Sequence, residues 1–222
     1  MRRYPSYGSS IAFGPGPLSP SLKAIIGANV AVFLLQWVAP ELTFTLGLMP
    51  AAVLREFHVW QLATYMFLHA GLFHLLFNML ALWMFGTELE RVLGTREFLK
   101  YYFVTGIGAG VLTVLFSLLP IGIAQTLWGS TVIGASGAIY GLLLAYGMYF
   151  PNRMLILFIF PVPARIAVLI LGAIAFVSSI GGGGGGGVAH YAHLGGLVIG
   201  YLYLKTLRSK PIDEIKYRYL RC

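Results

Sequence analysis

Charge is scarce in this chain: Asp, Glu, Lys and Arg make up 10% of 222 residues, where a soluble domain carries about a quarter. A surface so poor in polar groups excludes an ordinary water-soluble fold. There is one cysteine, Cys222, so no intramolecular disulfide can form, and no lipidation motif surrounds it. Aspartate is equally rare, with Asp213 near the C-terminus standing alone. Neither an aspartyl dyad within the bilayer nor a Ser-His-Asp triad can then be built. Zinc-protease spacing is missing as well, because His69 and His74 stand five apart with no carboxylate between them, whereas His-Glu-x-x-His supplies one. The soluble-hydrolase elbow Gly-x-Ser-x-Gly fails at Ala138. Before Ala24 no apolar stretch follows Arg2 and Arg3, and Pro5, Pro15, Pro17 and Pro20 break the segment. A cleavable signal is therefore not expected there.

What is present is apolar: 58% of the residues are hydrophobic. Stretches long enough to span a bilayer, at about 20 residues each, start near Ala24, Leu72, Leu99, Gly134, Ile166 and Val188. They predict an all-α membrane protein of six transmembrane helices: a short N-terminal segment 1–23, a six-helix domain 24–204 and a basic tail 205–222. Almost no chain is left for a second soluble domain. The formal charge of +8 does not indicate a nucleic-acid partner, because the basic residues follow topology. Fourteen of the fifteen Lys and Arg fall in alternate connections, and Arg55 alone falls on the other side. The positive-inside rule then makes both termini cytoplasmic, with helices two, four and six running inward. The expected location is a bacterial or archaeal cytoplasmic membrane.

The connections differ in character. Pro40 to Gly71 is long, half apolar and aromatic-rich, as suits a segment lying in the membrane interface. Glu88 to Glu97 is a charged cytoplasmic turn, and Pro120 to Ser130 an uncharged outer one. Pro151, Pro161 and Pro163 precede and set the start of the fifth helix. Gly181 to Gly187 is an unbroken glycine run, read either as a mobile connection or as a plain linker.

Polar groups inside a bilayer are costly, so each is a functional candidate. His74 and Asn78 lie early in helix two, Ser136 early in helix four and His193 early in helix six. All three helices run inward, which brings the four residues to one depth. His74 and Asn78 share a helix face, as do Ser136 and Tyr140. The pairs Gly137/Gly141 and Gly196/Gly200 are small-xxx-small patterns that let membrane helices approach closely, as a Ser–His hydrogen bond requires. Taken singly, each residue has a plainer role. A membrane serine usually bonds the carbonyl one turn back, a buried histidine is often an interhelical contact, and Tyr140 suits core or interface. Their joint occurrence favours nucleophilic chemistry, with a base activating the serine.

Three motifs carry a family resemblance. Gly134-Ala135-Ser136-Gly137 resembles the rhomboid Gly-x-Ser-Gly motif. Ala192-His193-Leu194-Gly195-Gly196 with Gly200 resembles its Ala-His-x-x-Gly-x-x-x-Gly motif, and His69, His74 and Asn78 fit its His-x4-His-x3-Asn pattern. The resemblance implies that Ser136 is the nucleophile and His193 the base, and that His74, Asn78 and the Ser136 backbone N–H bind the oxyanion. It also implies that Tyr140 stacks on His193, and that Glu90, ahead of Arg91 and Leu93-Gly94, anchors the cytoplasmic turn. The reaction would be peptide-bond hydrolysis through an acyl-enzyme, without metal or cofactor, on single-span membrane proteins in the lipid bilayer. A rhomboid-like pseudoprotease that only binds membrane proteins is one rival, although such proteins lack the serine or histidine. A transporter is another, which neither an internal repeat nor a membrane carboxylate supports. One departure stands out: Trp60 is followed by Gln61, where many family members have Trp-Arg, so the arginine tether of the family is not expected at this position, while none of the catalytic positions is touched. His190 is a further histidine one turn before His193.

Overall fold

The computed structural model describes residues 15–157, 159–180 and 187–207. Helix α1, Pro20–Val38, begins at a proline in its first turn, where a missing N–H costs nothing, and is capped by the Ser19 hydroxyl accepting from Leu22 N–H. Three short helices follow in the first connection: α2 Leu42–Leu46, α3 Pro50–Arg55 and α4 Gln61–Thr64. Helix α5, Leu72–Ala81, continues through a π-helical turn, Leu82–Gly86, into α6, Thr87–Leu93. After Gly94 come α7 Thr95–Phe116, the short α8 Gly122–Trp128 and α9 Ser136–Tyr149. An antiparallel hairpin, β1 Met154–Leu157 with β2 Phe160–Pro163, leads into α10 Ala164–Ile180. Helix α11, Gly187–Leu207, ends the described chain.

The molecule is thus mostly helical, and the spans Pro20–Val38, Leu72–Leu93 and Thr95–Phe116 are long and apolar enough to cross a membrane. Large apolar side chains face outward on several helices, among them Leu34, Trp37, Phe73, Phe77, Leu169 and Val177. Such a surface would aggregate in water and is satisfied by lipid. Each of the six predicted stretches corresponds to a helix, but two features differ from expectation. Helix α9 has 14 residues, about 21 Å at 1.5 Å per residue, less than the roughly 30 Å hydrocarbon core. The hairpin was not foreseen either. Its strands are apolar throughout, so periodicity does not separate them from a helix, and of the three prolines expected to set the start of the fifth helix, Pro161 and Pro163 sit in β2 of a two-stranded ribbon, which has no central strand to disrupt. The glycine run lies outside the described residues except for Gly187, which starts α11.

Helices α7, α9 and α11 form the core, packed on small residues. A Cβ added at Gly196 would fall on the Gly137 carbonyl oxygen; one at Gly195 would come 2.9 Å from Ala109 Cα, and one at Gly141 2.8 Å from Thr105 Cβ. Two tyrosines lock the arrangement. Tyr101 Oη donates to the Gly141 carbonyl at 2.6 Å, and Tyr65 Oη to the Gly106 carbonyl at 2.7 Å.

At one end of the bundle the buried Glu90 carboxylate accepts hydrogen bonds from the hydroxyls of Ser19, Ser21 and Thr95. It therefore joins the starts of α1 and α7 to the end of α6. Replacement by alanine orphans three hydroxyls beside the helix ends. Glu90→Ala should lower stability by at least about 2 kcal/mol, seen as a fall in thermal midpoint in detergent. A midpoint equal to that of the unaltered protein would show that the three hydroxyls do not depend on the carboxylate.

Candidate active site

Ser136 is the first residue of α9. The chain reaches it as an extended segment held to the first connection: Leu48 and Val132 exchange backbone hydrogen bonds of 2.9 and 2.8 Å, and Gly134 N–H donates to the Tyr65 carbonyl at 2.9 Å. Gly134 has φ +122°, a region that glycine occupies without steric cost. A Cβ there would also stand 2.7 Å from His74 Cε1 and 2.9 Å from Nε2. The glycine is thus required twice, by the turn and by the imidazole packed over it.

His193 lies on α11, and its Nε2 is 2.8 Å from Ser136 Oγ. The tight α9–α11 packing makes that distance possible, since Gly196, one turn after His193, rests on Gly137, the residue next to Ser136. The Tyr140 ring is stacked on His193 with centroids 4.3 Å apart and planes 7° apart. His193 Nδ1 is buried without a hydrogen-bond partner among the described residues, and the stacked Tyr140 ring holds the plane of the imidazole. His190 meets the His193 ring edge-on at 5.5 Å.

His74 Nδ1 accepts from Ala70 N–H at 3.2 Å. Its proton therefore resides on Nε2, which packs over Gly134, two residues before Ser136. Asn78 Nδ2 donates to the His74 carbonyl at 2.8 Å, which uses one amide N–H and leaves the other. His69 is buried, with its ring edge-on to His74 at 5.0 Å, and its backbone N–H donates to Gln36 Oε1 at 2.9 Å. Gly200 lies deeper, where an added Cβ would stand 2.6 Å from Tyr101 Oη. Glu90 is remote from this cluster and acts at the helix ends described above. No three His, Cys, Asp or Glu side chains could hold a metal ion among the described residues.

Two glutamines have supporting roles that the sequence does not reveal. Gln61 occupies the place of the absent arginine and nevertheless tethers the first connection: its Oε1 accepts from Met49 N–H at 3.0 Å, and its Nε2 donates to the carbonyls of Phe44 and Thr45 at 3.2 and 3.3 Å. Gln36 bridges α1 to Thr43 and His69. A lone glutamine in an apolar stretch signals a polar network but not its partners, so neither could be assigned beforehand.

The fold and the site together define a membrane-embedded helical protein whose serine hydroxyl is hydrogen-bonded to a histidine. Residues 56–210 match the Rhomboid domain family, and the chain belongs to the rhomboid family. It is 34% identical to Rhomboid protein 1, mitochondrial, of Saccharomyces cerevisiae, over 89% of this chain and 56% of that one. RHOMBOID-like protein 1 of Arabidopsis thaliana is 33% identical over 68% of this chain and 35% of its own length. Rhomboid protease GlpG of Yersinia pestis is 26% identical over 89% and 65%. The chain thus spans between about a third and two thirds of these relatives. Mitochondrial and plant proteins stand among them, so a bacterial or archaeal cytoplasmic membrane gains no support.

Close packing of Gly196 on Gly137 predicts a sharp contrast between glycines. Gly196→Ala should part α9 from α11 and break the 2.8 Å Ser136–His193 contact. Gly172→Ala, whose Cβ would meet only Leu197 Cδ1 at 3.3 Å, should be tolerated. Thermal midpoints of the two variants check this, and similar midpoints would contradict the packing.

Proposed function

We propose that the chain is an intramembrane serine endopeptidase, cutting single-span membrane proteins within the bilayer. The observation that carries the reading is the 2.8 Å contact between Ser136 Oγ and His193 Nε2 in a membrane bundle. His193 takes the Ser136 proton as Oγ attacks the scissile carbonyl, then gives it to the leaving amine, so that an acyl-enzyme remains. Water, deprotonated by the same histidine, attacks the ester and frees Ser136. The tetrahedral oxyanion is held by His74 Nε2–H, the remaining Asn78 N–H and the Ser136 backbone N–H, which as the first of a helix lacks a partner within it. Six spans, an interfacial first connection, cytoplasmic termini and a site in the outer half of the bilayer complete the reading. The relative named a protease, GlpG, agrees with it. Retention of both Ser136 and His193 disfavours a pseudoprotease.

The decisive experiment is labelling of the purified protein by a fluorophosphonate, together with cleavage of a transmembrane reporter. Ser136→Ala and His193→Ala should abolish both. His190→Ala should keep at least about a tenth of the activity, a loss under about 1.4 kcal/mol in transition-state stabilisation. Asn78→Ala should lower turnover about 10²–10³-fold with a thermal midpoint near that of the unaltered protein. Tyr140→Phe should keep the stacked ring and most of the rate, whereas Tyr140→Ala should not. Labelling that survives Ser136→Ala would overturn the nucleophile. A dead His190→Ala beside an active His193→Ala would reassign the base.

A further inference from the structure

The hairpin between α9 and α10 has no polar side chain from Met154 to Pro163. An antiparallel ribbon with one wet face alternates apolar and polar residues, and this one does not alternate. Leu155 and Val162 pair across the ribbon, are half-buried, and Leu155 packs against the core. On the opposite face Met154 and Pro161 are exposed, and beyond the bundle Ile159 is 80% and Phe160 67% exposed. The turn joining Leu157 to Phe160 contains no Gly, Asn or Asp, the residues that a two-residue hairpin turn in water favours.

Charge frames this surface. Arg153 immediately precedes the hairpin and is held by Glu88 and the Phe150 ring. Arg165 is exposed in the first turn of α10. Basic side chains flanking an apolar segment suit the boundary where acyl chains meet phosphate headgroups, because their stems lie in the apolar zone and their charges reach out of it. Beyond Arg165 the exposed apolar surface runs on along α10 through Ile166, Leu169 and Ile170, so the hairpin is continuous with the lipid-facing side of the bundle.

We propose that this hairpin is a membrane-dipping anchor: its outer face and tip insert into the leaflet at its own end of the bundle, with Arg165 at the headgroups of anionic lipids. It would fix the depth of the short α9 and the starting point of α10. The inference needs only the membrane-embedded fold, so its failure leaves the proposed proteolysis untouched.

The test uses the full chain with Cys222→Ser and a single label site, Ile159→Cys, carrying an environment-sensitive fluorophore. It is reconstituted into phosphatidylcholine vesicles with or without phosphatidylglycerol. Blue-shifted emission, loss of intensity with shallow brominated lipid and little loss with aqueous iodide are expected. Phosphatidylglycerol should strengthen the brominated-lipid effect, and Arg165→Gln should remove that strengthening. A Phe160→Cys label provides an independent reading if the first variant folds poorly. Water-like emission quenched by iodide would overturn the proposal. So would a blue shift that grows with protein density in the vesicle, which would assign the face to a second copy of the chain.

Discussion

The contact of Gly196 with the Gly137 carbonyl is the constraint from which the rest of the site follows. Two helices that touch through backbone atoms have no side-chain layer between them, so the residue beside the contact on α9 and the one a turn before it on α11 come within hydrogen-bond reach. Ser136 and His193 are those residues. Helix α7 closes the third side in the same manner, with Thr105 and Ala109 against the glycines of α9 and α11. In lipid no hydrophobic drive pushes helices together, and such close approach, sealed by hydrogen bonds from Tyr65 and Tyr101 to backbone carbonyls, supplies the dispersion and polar contacts that do.

The first connection is equally a part of the site. Tyr65 uses its hydroxyl to hold α7 and its carbonyl to hold Gly134, while Leu48 pairs with Val132. The segment entering α9 is thereby placed before the helix begins. Gln61 keeps that connection in shape with three hydrogen bonds to its backbone. A glutamine can replace a guanidinium in this role because the partners are one N–H donor and neighbouring carbonyls, and a neutral amide offers both an acceptor and donors without burying a charge.

How much of this was legible beforehand depended on whether the signal was local. Helix starts at Leu72, Ser136, Ala164 and Gly187 fall within two residues of the predicted ones, because apolar runs and proline or glycine breaks are read along the chain. The convergence of His74, Ser136 and His193 was readable too, since alternating topology puts their helices in one direction. The partners of Gln61 and Gln36 were not, as hydrogen bonds across tens of residues leave no periodic trace. Nor was the hairpin legible, because seven consecutive apolar residues from Met154 to Phe160 fit helix and strand alike.

Where a polar residue stands in its helix decides what it can do. Asn29, Thr105 and Thr113 all give their hydrogen bond to the carbonyl four residues back, the ordinary way to satisfy a side chain in a membrane helix. Asn78 spends one amide N–H on His74 in the same manner and has a second to offer. Ser136 differs because it opens its helix: no turn of α9 precedes it, and the chain leading into the Gly134 turn is pinned to Leu48 and Tyr65. Its hydroxyl meets His193 instead. A serine one turn deeper in α9 would have a helical carbonyl within reach and would compete with the imidazole for its own proton. The short α9, starting late and on a glycine turn, is thus what leaves the hydroxyl of this serine to His193 rather than to its own helix.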